Sequence, residues 1–125
     1  MTNLETIERW HAAVNAGDAQ GAGALCTSEV EVGGPRGSGF GRELVVEWVG
    51  HAGIRLQPVR WFCGAGGTVV EQDARWASTQ GEPTRLATAF RMEDGRITGV
   101  LRRPDTADAL ALLGLDDADE VTDRG

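Results

Sequence analysis

The two histidines of the chain are the first candidates for acid-base chemistry. His51 lies four residues after Glu47, so a helix would place both side chains on one face, where the carboxylate could orient the imidazole as a general base. His11 directly follows Trp10 in an amphipathic stretch. A histidine near a helix C-terminus is also favourable for electrostatic reasons alone. A catalytic role and a structural one therefore stay open for both histidines.

A charged row on one strand is the second candidate. Glu71, Asp73 and Arg75 recur at every second position and so share one face of a strand. Either they pair with one another on an outer sheet face or across a dimer, or one acid faces a dry pocket. In a dry pocket its pKa would rise toward that of a general acid. We favour the outer face, because three charges inside would be costly unless fully paired.

A glycine-rich segment over 33–41 lies between a predicted strand and a predicted helix, where backbone N–H groups could bind an anion. Position 42, where a dinucleotide-binding fingerprint requires glycine, is Arg42, and no long parallel βαβ unit follows. We therefore predict a flexible entrance loop with a solvated Arg36.

The composition excludes several classes of function. All 12 basic residues are arginines, so the chain has no P-loop lysine and no basic footprint for nucleic acid. No stretch approaches the roughly 18 consecutive apolar residues of a membrane span. Cys26 and Cys63 lack the spacing of a metal site or a disulfide framework, which indicates buried, reduced thiols. We predict a cytoplasmic protein with no cofactor, no metal, no nucleic-acid partner and no membrane partner.

The elements that must position these residues follow from periodicity. A capping box at Thr2 and Glu5 begins a helix, and Gly17 ends it. The pattern predicts helices over about 4–14, 19–26 and 44–49, a short strand at 30–32, and strands over 54–63, 68–78, 84–92 and 96–102. Tight turns, among them Asp94-Gly95, join the last four strands into a meander. A short C-terminal helix follows over 104–113.

This order of elements is α+β, with the three N-terminal helices packed on one face of an antiparallel sheet. Alternation places two sets of residues on the face toward the helices: Val70, Gln72, Ala74 and Trp76 on one strand, and Leu86, Thr88, Phe90 and Met92 on the next. The last ten residues hold five acids and one arginine. We predict a folded domain over 1–115 and an acidic disordered tail over 116–125.

Three local features, taken in order, resemble the nuclear transport factor 2-like (NTF2-like) superfamily. They are the helix ending at 15–18, the strand and loop over 30–41 leading into a helix with a tryptophan, and the closing hairpin over 90–97. The superfamily includes ketosteroid isomerases, SnoaL-like polyketide cyclases and limonene epoxide hydrolases. The resemblance covers about residues 4–103. It implies a conical fold with a curved sheet, a pocket between helices and sheet, and a homodimer through the outer sheet face.

The catalytic residues of ketosteroid isomerases are replaced in this sequence. That family uses a tyrosine, a carboxylate base and a protonated aspartate. By resemblance these positions fall on Trp10, Gly34 and Thr88. Trp10 can still donate one N–H and Thr88 one O–H, but nothing replaces the base.

The catalytic residues of the epoxide hydrolases are also replaced in this sequence. Its arginine and aspartate on one strand fall on Gln72 and Ala74, and its last acid falls near Arg102. A shift of one residue would instead offer Asp73 and Arg75 in reversed order. This alternative stays open.

The four tryptophans and three phenylalanines fall on the elements that converge on the pocket in this superfamily, although they could also be ordinary core. We predict a pocket for a planar, mostly apolar small molecule. The predicted ligand-binding residues are Trp10, Val14, Phe40, Trp48, Gln72, Trp76, Thr88 and Phe90.

Three functions compete. The first is binding of a small apolar or aromatic molecule. The second is a SnoaL-like acid-base enzyme, of the cyclase, isomerase or hydrolase type, acting on a polycyclic or hydroxylated substrate through His51 or Asp73. The third is a structural dimeric module. The enzyme needs an ionisable group in the pocket, whereas the binder needs only shape and hydrogen-bond donors.

Overall fold

The computed structural model describes residues 2–34, 37–76 and 81–121 and confirms the α+β fold, with helices packed on a curved, unclosed six-stranded sheet. Within these residues the helices are α1 (Asn3–Ala16), α2 (Ala19–Ala24), α3 (Arg42–Ala52) and α4 (Thr106–Leu113). The strands are β1 (Cys26–Gly34), β2 (Gly37–Phe40), β3 (Ile54–Gly64), β4 (Gly67–Trp76), β5 (Thr84–Glu93) and β6 (Arg96–Arg103). The predicted continuation of β4 over 77–78 lies outside the described residues.

Helix α1 forms as its local sequence predicts. The Thr2 hydroxyl accepts from the Glu5 backbone N–H at 3.1 Å, and the Glu5 carboxylate accepts from the Thr2 N–H at 3.0 Å. Gly17 ends the helix in the left-handed region, with φ at 70°. The buried face of α1 consists of Thr6, Ile7, Trp10, His11 and Val14.

The predicted loop over 33–41 is instead largely a hairpin. β1 extends through Gly34, and β2 pairs antiparallel with it, so that Gly33 lies opposite Ser38. A Cβ at Gly33 would lie 2.5 Å from the Ser38 hydroxyl, which explains why a glycine allows this close pairing. Arg36 lies outside the described residues. The strand order is β2-β1-β6-β5-β4-β3, and β1 runs parallel to β6 while the other pairs are antiparallel.

The two faces of the sheet carry separate cores. Helices α1, α2 and α3 pack on the concave face, around a core that includes Trp10, Val70 and Phe90. The sequence predicted this position for the three N-terminal helices and gave none for the C-terminal helix; α4 packs on the opposite, outer face. There Ala87 and Ala89 of β5 leave room for its Leu110.

The C-terminal segment differs from the predicted disordered tail as far as it is described. Asp117–Asp119 form a 3-10 turn, and the Val121 N–H donates to the Trp61 carbonyl at 2.7 Å. Arg60 donates to both carboxylate oxygens of Glu120, at 3.0 and 3.2 Å. β3 is an edge strand of the sheet, so the backbone groups on its outer side have no neighbouring strand to pair with. These backbone groups and the side chain of Arg60 bind the acidic segment instead. Residues 122–125 lie outside the description.

Candidate functional site

An apolar cavity of about 120 Å³ lies between the helices and the concave face of the sheet. Five of its lining residues are aliphatic: Val32, Ile54, Leu56, Leu86 and Val100. The backbone of Gly33 and Gly34 closes one side. The remaining lining residues are Trp10, Trp48, Thr88 and Arg102, so the wall combines a large apolar area with few polar groups.

Two tryptophans form the aromatic part of the wall. Trp10 from α1 and Trp48 from α3 stack with ring centroids 6.0 Å apart and an angle of 13° between their planes. Phe90 supports Trp10 from behind in an edge-on contact at 5.1 Å. Trp10 is only 1% exposed, and its indole N–H has no hydrogen-bond acceptor among the described residues. A buried donor without an acceptor costs free energy, and a ligand oxygen that reached this N–H would recover that cost.

A buried hydrogen-bonded relay leads away from the cavity through Thr88. The Thr88 hydroxyl donates to Gln72 Oε1 at 2.8 Å, and Gln72 Nε2 lies 2.7 Å from His11 Nε2. His11 Nδ1 lies 2.8 Å from the Ile7 carbonyl oxygen. A carbonyl can only accept, so Nδ1 carries the proton and Nε2 accepts from the Gln72 amide. Both ring nitrogens of a neutral His11 are therefore engaged within the core, away from the cavity wall.

The predicted ligand-binding residues divide into two groups. Trp10, Trp48 and Thr88 line the cavity. The others lie elsewhere: Val14, Gln72 and Phe90 are buried in the core, Trp76 is half-buried against that core, and Phe40 on β2 is 69% exposed. The aliphatic wall and Arg102 were not among the ligand-binding residues predicted from the sequence. Alternation along β5 was a usable signal for Leu86, since it shares a face with Thr88.

The charged row faces away from the cavity. Glu71, 8% exposed, accepts from the Thr106 hydroxyl of α4 at 2.6 Å and from Arg85 at 3.2 Å. Asp73 also accepts from Arg85, and this hydrogen bond raises the pKa of the Arg85 guanidinium above its ordinary value. Arg75 is exposed and donates to the Gly81 carbonyl. Gln72 and Thr88, not Asp73 and Arg75, therefore face the helices.

The other candidate groups lie apart from the cavity. His51 is exposed in the last turn of α3. Burial raises the pKa of the Cys26 thiol to about 11, which makes it unreactive at neutral pH. Cys63, predicted to be buried, is half-buried beside Thr68 in the hairpin of β3 and β4.

The described ranges 2–34, 37–76 and 81–121 offer neither a cluster of metal ligands nor a membrane-spanning helix. They contain no group of three or more His, Cys, Asp or Glu residues able to hold a metal ion. Every helix within them is too short or too polar to cross a bilayer.

Solved structures share this fold. An NTF2-like protein of unknown function from Burkholderia pseudomallei superposes with a TM-score of 0.73 at 22% identity, over 90% of this chain and 98% of that one. TerC, co-crystallised with polyporic acid, gives 0.73 at 20% identity, over 90% and 98%. A proposed polyketide cyclase from Sinorhizobium meliloti gives 0.69 at 15% identity, over 82% and 99%. At these identities the likeness establishes the fold alone.

The sequence also matches a family model. No curated protein matches the chain. The SnoaL-like domain model matches residues 7–100, a range that contains every cavity-lining residue except Arg102. The resemblance predicted from the sequence is thereby confirmed: the chain belongs to the SnoaL-like domain family of the NTF2-like superfamily.

Proposed function

We propose that this domain binds a small, mostly apolar molecule and encloses one of its rings in the cavity. One observation carries the proposal: Trp10 is buried in the wall of an apolar cavity, yet its N–H has no acceptor among the described residues. The fold supports it, since another protein of the same fold, TerC, was co-crystallised with polyporic acid.

The volume of the cavity limits the size of the enclosed group. An apolar cavity of about 150 Å³ is known to accept benzene. At about 120 Å³, this one suits a single ring in its present shape, while a polycyclic molecule would have to extend through the mouth or widen the cavity. We therefore narrow the expected ligand from any small apolar or aromatic molecule to one that inserts a single ring.

The polar groups of the wall favour a ring with oxygen substituents. The Trp10 N–H can donate to a ligand oxygen. The Thr88 hydroxyl already donates its proton to Gln72, so toward the cavity it acts as an acceptor. One donor and one acceptor on the wall match a hydroxyl or phenol group, which can serve both.

The alternative of an acid-base enzyme has less support. Among the described residues that line the cavity, none is Asp, Glu, His or Cys, and Arg102 is the one ionisable group. An arginine stays protonated at neutral pH and is a poor proton acceptor. His51 and Asp73, the predicted catalytic residues, lie away from this wall.

Calorimetric titration with phenol tests the proposal, since phenol offers one ring and one hydroxyl. We expect binding to the wild type and about tenfold weaker binding to Trp10→Phe, which keeps an aromatic side chain but removes the N–H. Trp76→Phe is the matched control, because Trp76 does not line the cavity. Absence of phenol binding, or equal losses in both variants, would contradict the proposal. Native mass spectrometry of protein from its source can then identify the natural ligand.

A homodimer through the outer sheet face remains a proposal. Helix α4 buries the apolar part of that face, and the ion pairs of Glu71, Asp73 and Arg85 occupy another part. A dimer formed there would be polar and would weaken as salt rises. Sedimentation at low and high salt measures this. We also propose a cytoplasmic location, supported by the two free thiols of Cys26 and Cys63.

A further inference from the structure

We infer that the ligand carries a carboxylate and that Arg102 binds it; this inference rests on the proposed function. Arg102 lies on β6 directly opposite Thr88 of β5 and lines the cavity. Its side chain is half-buried and makes no ion pair or hydrogen bond with any residue in the described part of the chain. The Arg102 cation therefore lies at an apolar wall, and none of the described residues supplies a counter-charge.

On the outer face, by contrast, Arg60 and Arg85 form ion pairs with carboxylates. Arg85 contacts both Glu71 and Asp73, and Arg60 contacts Glu120 at 3.0 Å. Around Arg102 the described cavity wall offers only uncharged groups. An arginine that is partly withdrawn from water gains most from an anion that replaces the lost hydration.

The shape of the site favours a carboxylate on a ring. Guanidinium presents a planar pair of N–H donors that matches the two oxygens of a carboxylate. Leu86 and Val100 flank Arg102 on the same wall and would contact the apolar body of the ligand. The inferred class is therefore a small aromatic or alicyclic carboxylic acid, with its ring in the cavity and its acid group at Arg102.

Two probe molecules of matched shape test whether a negative charge on the ligand strengthens binding. Benzoate and benzamide have nearly the same size, but only benzoate is anionic at neutral pH. We expect the wild type to bind benzoate about tenfold more tightly than benzamide by calorimetry. Added salt should weaken benzoate binding more than benzamide binding.

Arg102→Met then tests the residue. We expect this variant to lose about tenfold in affinity for benzoate and to keep its affinity for benzamide. Arg96→Met is the matched control, because Arg96 is an exposed arginine of the same strand that does not line the cavity. Arg102→Lys, which keeps the charge but not the planar pair of donors, should retain part of the preference. If Arg102→Met fails to fold, the wild-type comparison and Arg102→Lys still decide the question.

The outcomes separate this inference from the proposed function. Equal binding of benzoate and benzamide, or equal losses in Arg102→Met and Arg96→Met, overturns the carboxylate inference and leaves ring binding intact. Binding of phenol without binding of benzoate does the same. If phenol, benzoate and benzamide all fail to bind, the proposed function fails and the inference with it.

Discussion

The two faces of the sheet differ in how completely their polar groups are paired. On the outer face, the carboxylate of Glu71 is shared by Thr106 and Arg85 and lies 3.9 Å from Arg60. On the concave face, the Trp10 N–H and the Arg102 guanidinium have no partner among the described residues. A structural surface satisfies its buried polar groups, whereas a binding surface leaves some available to a ligand. We therefore assign the proposed function to the concave face.

The largest effect should come from removing the aromatic support behind the cavity. Phe90 and Phe62 are both fully buried, one in each core, so Phe90→Ala and Phe62→Ala should each lower the free energy of unfolding by about 3–5 kcal/mol. Only the loss of Phe90 should also weaken phenol binding, because Phe90 holds the Trp10 ring.

Urea unfolding measures the stability of both variants. Phenol binding is compared in Phe90→Leu and Phe62→Leu, because leucine leaves a smaller cavity than alanine and these variants should be more stable. Equal effects on binding would show that the two cores are not functionally distinct.

The relay behind Thr88 should give the next largest effect. Gln72→Leu removes a partner from His11 and from Thr88 in the core, which should cost about 2 kcal/mol of stability. Gln57→Leu is the control, since Gln57 is exposed on β3 and should change stability by less than about 0.5 kcal/mol. Thermal unfolding measures both, and similar costs would argue against a stabilising relay.

A double variant sharpens this prediction. The cost of Gln72→Leu should shrink when His11→Phe is already present, because the two residues act on one interaction. Full additivity of the two costs would mean that the contact between them contributes nothing.

The outer face should respond less and without any change in binding. Glu71→Gln removes the charge that lies between Arg60 and Arg85, and we expect a loss of about 1 kcal/mol at low salt that diminishes at high salt. Phenol binding should stay unchanged, since Glu71 faces away from the cavity. Glu93→Gln removes the same charge at an exposed position and serves as the control. A loss of phenol binding in Glu71→Gln would contradict the separation of the two faces.

The smallest effect should be the loosening of the C-terminal segment in acid. The hydrogen bond from Arg60 lowers the pKa of Glu120 below its ordinary value. A carboxyl group with a lowered pKa in the folded state contributes stability above its unfolded pKa and loses it as pH falls through the folded pKa. Hydrogen exchange of the Val121 amide should therefore accelerate below the ordinary glutamate pKa, after correction for the intrinsic rate. In Glu120→Gln the protection should be lower and independent of pH over this range.

Features encoded in neighbouring residues were predictable. The capping box at Thr2 and Glu5 and the stop at Gly17 predicted α1, because each acts within one turn of the helix. Alternation along β4 and β5 predicted that Gln72 and Thr88 face the helices. The family resemblance placed Trp10 and Thr88 at the cavity wall.

Features that join distant segments were not predictable in the same way. The glycine-rich segment looked like a loop, because pairing of β1 with β2 depends on how closely two backbones approach. The acidic tail looked disordered, because its partner Arg60 lies 60 residues away. Phe40 looked like a pocket residue by its type, but its position on β2 leaves it exposed.

The sequence by itself determined the α+β order, the inward face of the central strands and a family whose members share this fold, since these depend on local spacing and residue type. Only the tertiary structure decided which polar groups have partners. The proposal for Arg102 depends on the absence of a carboxylate from the described wall around it. The proposal for Trp10 depends on the absence of an acceptor for its N–H among the residues that the structure describes. Both are relations in space between segments far apart in the chain, and no spacing along the sequence encodes them.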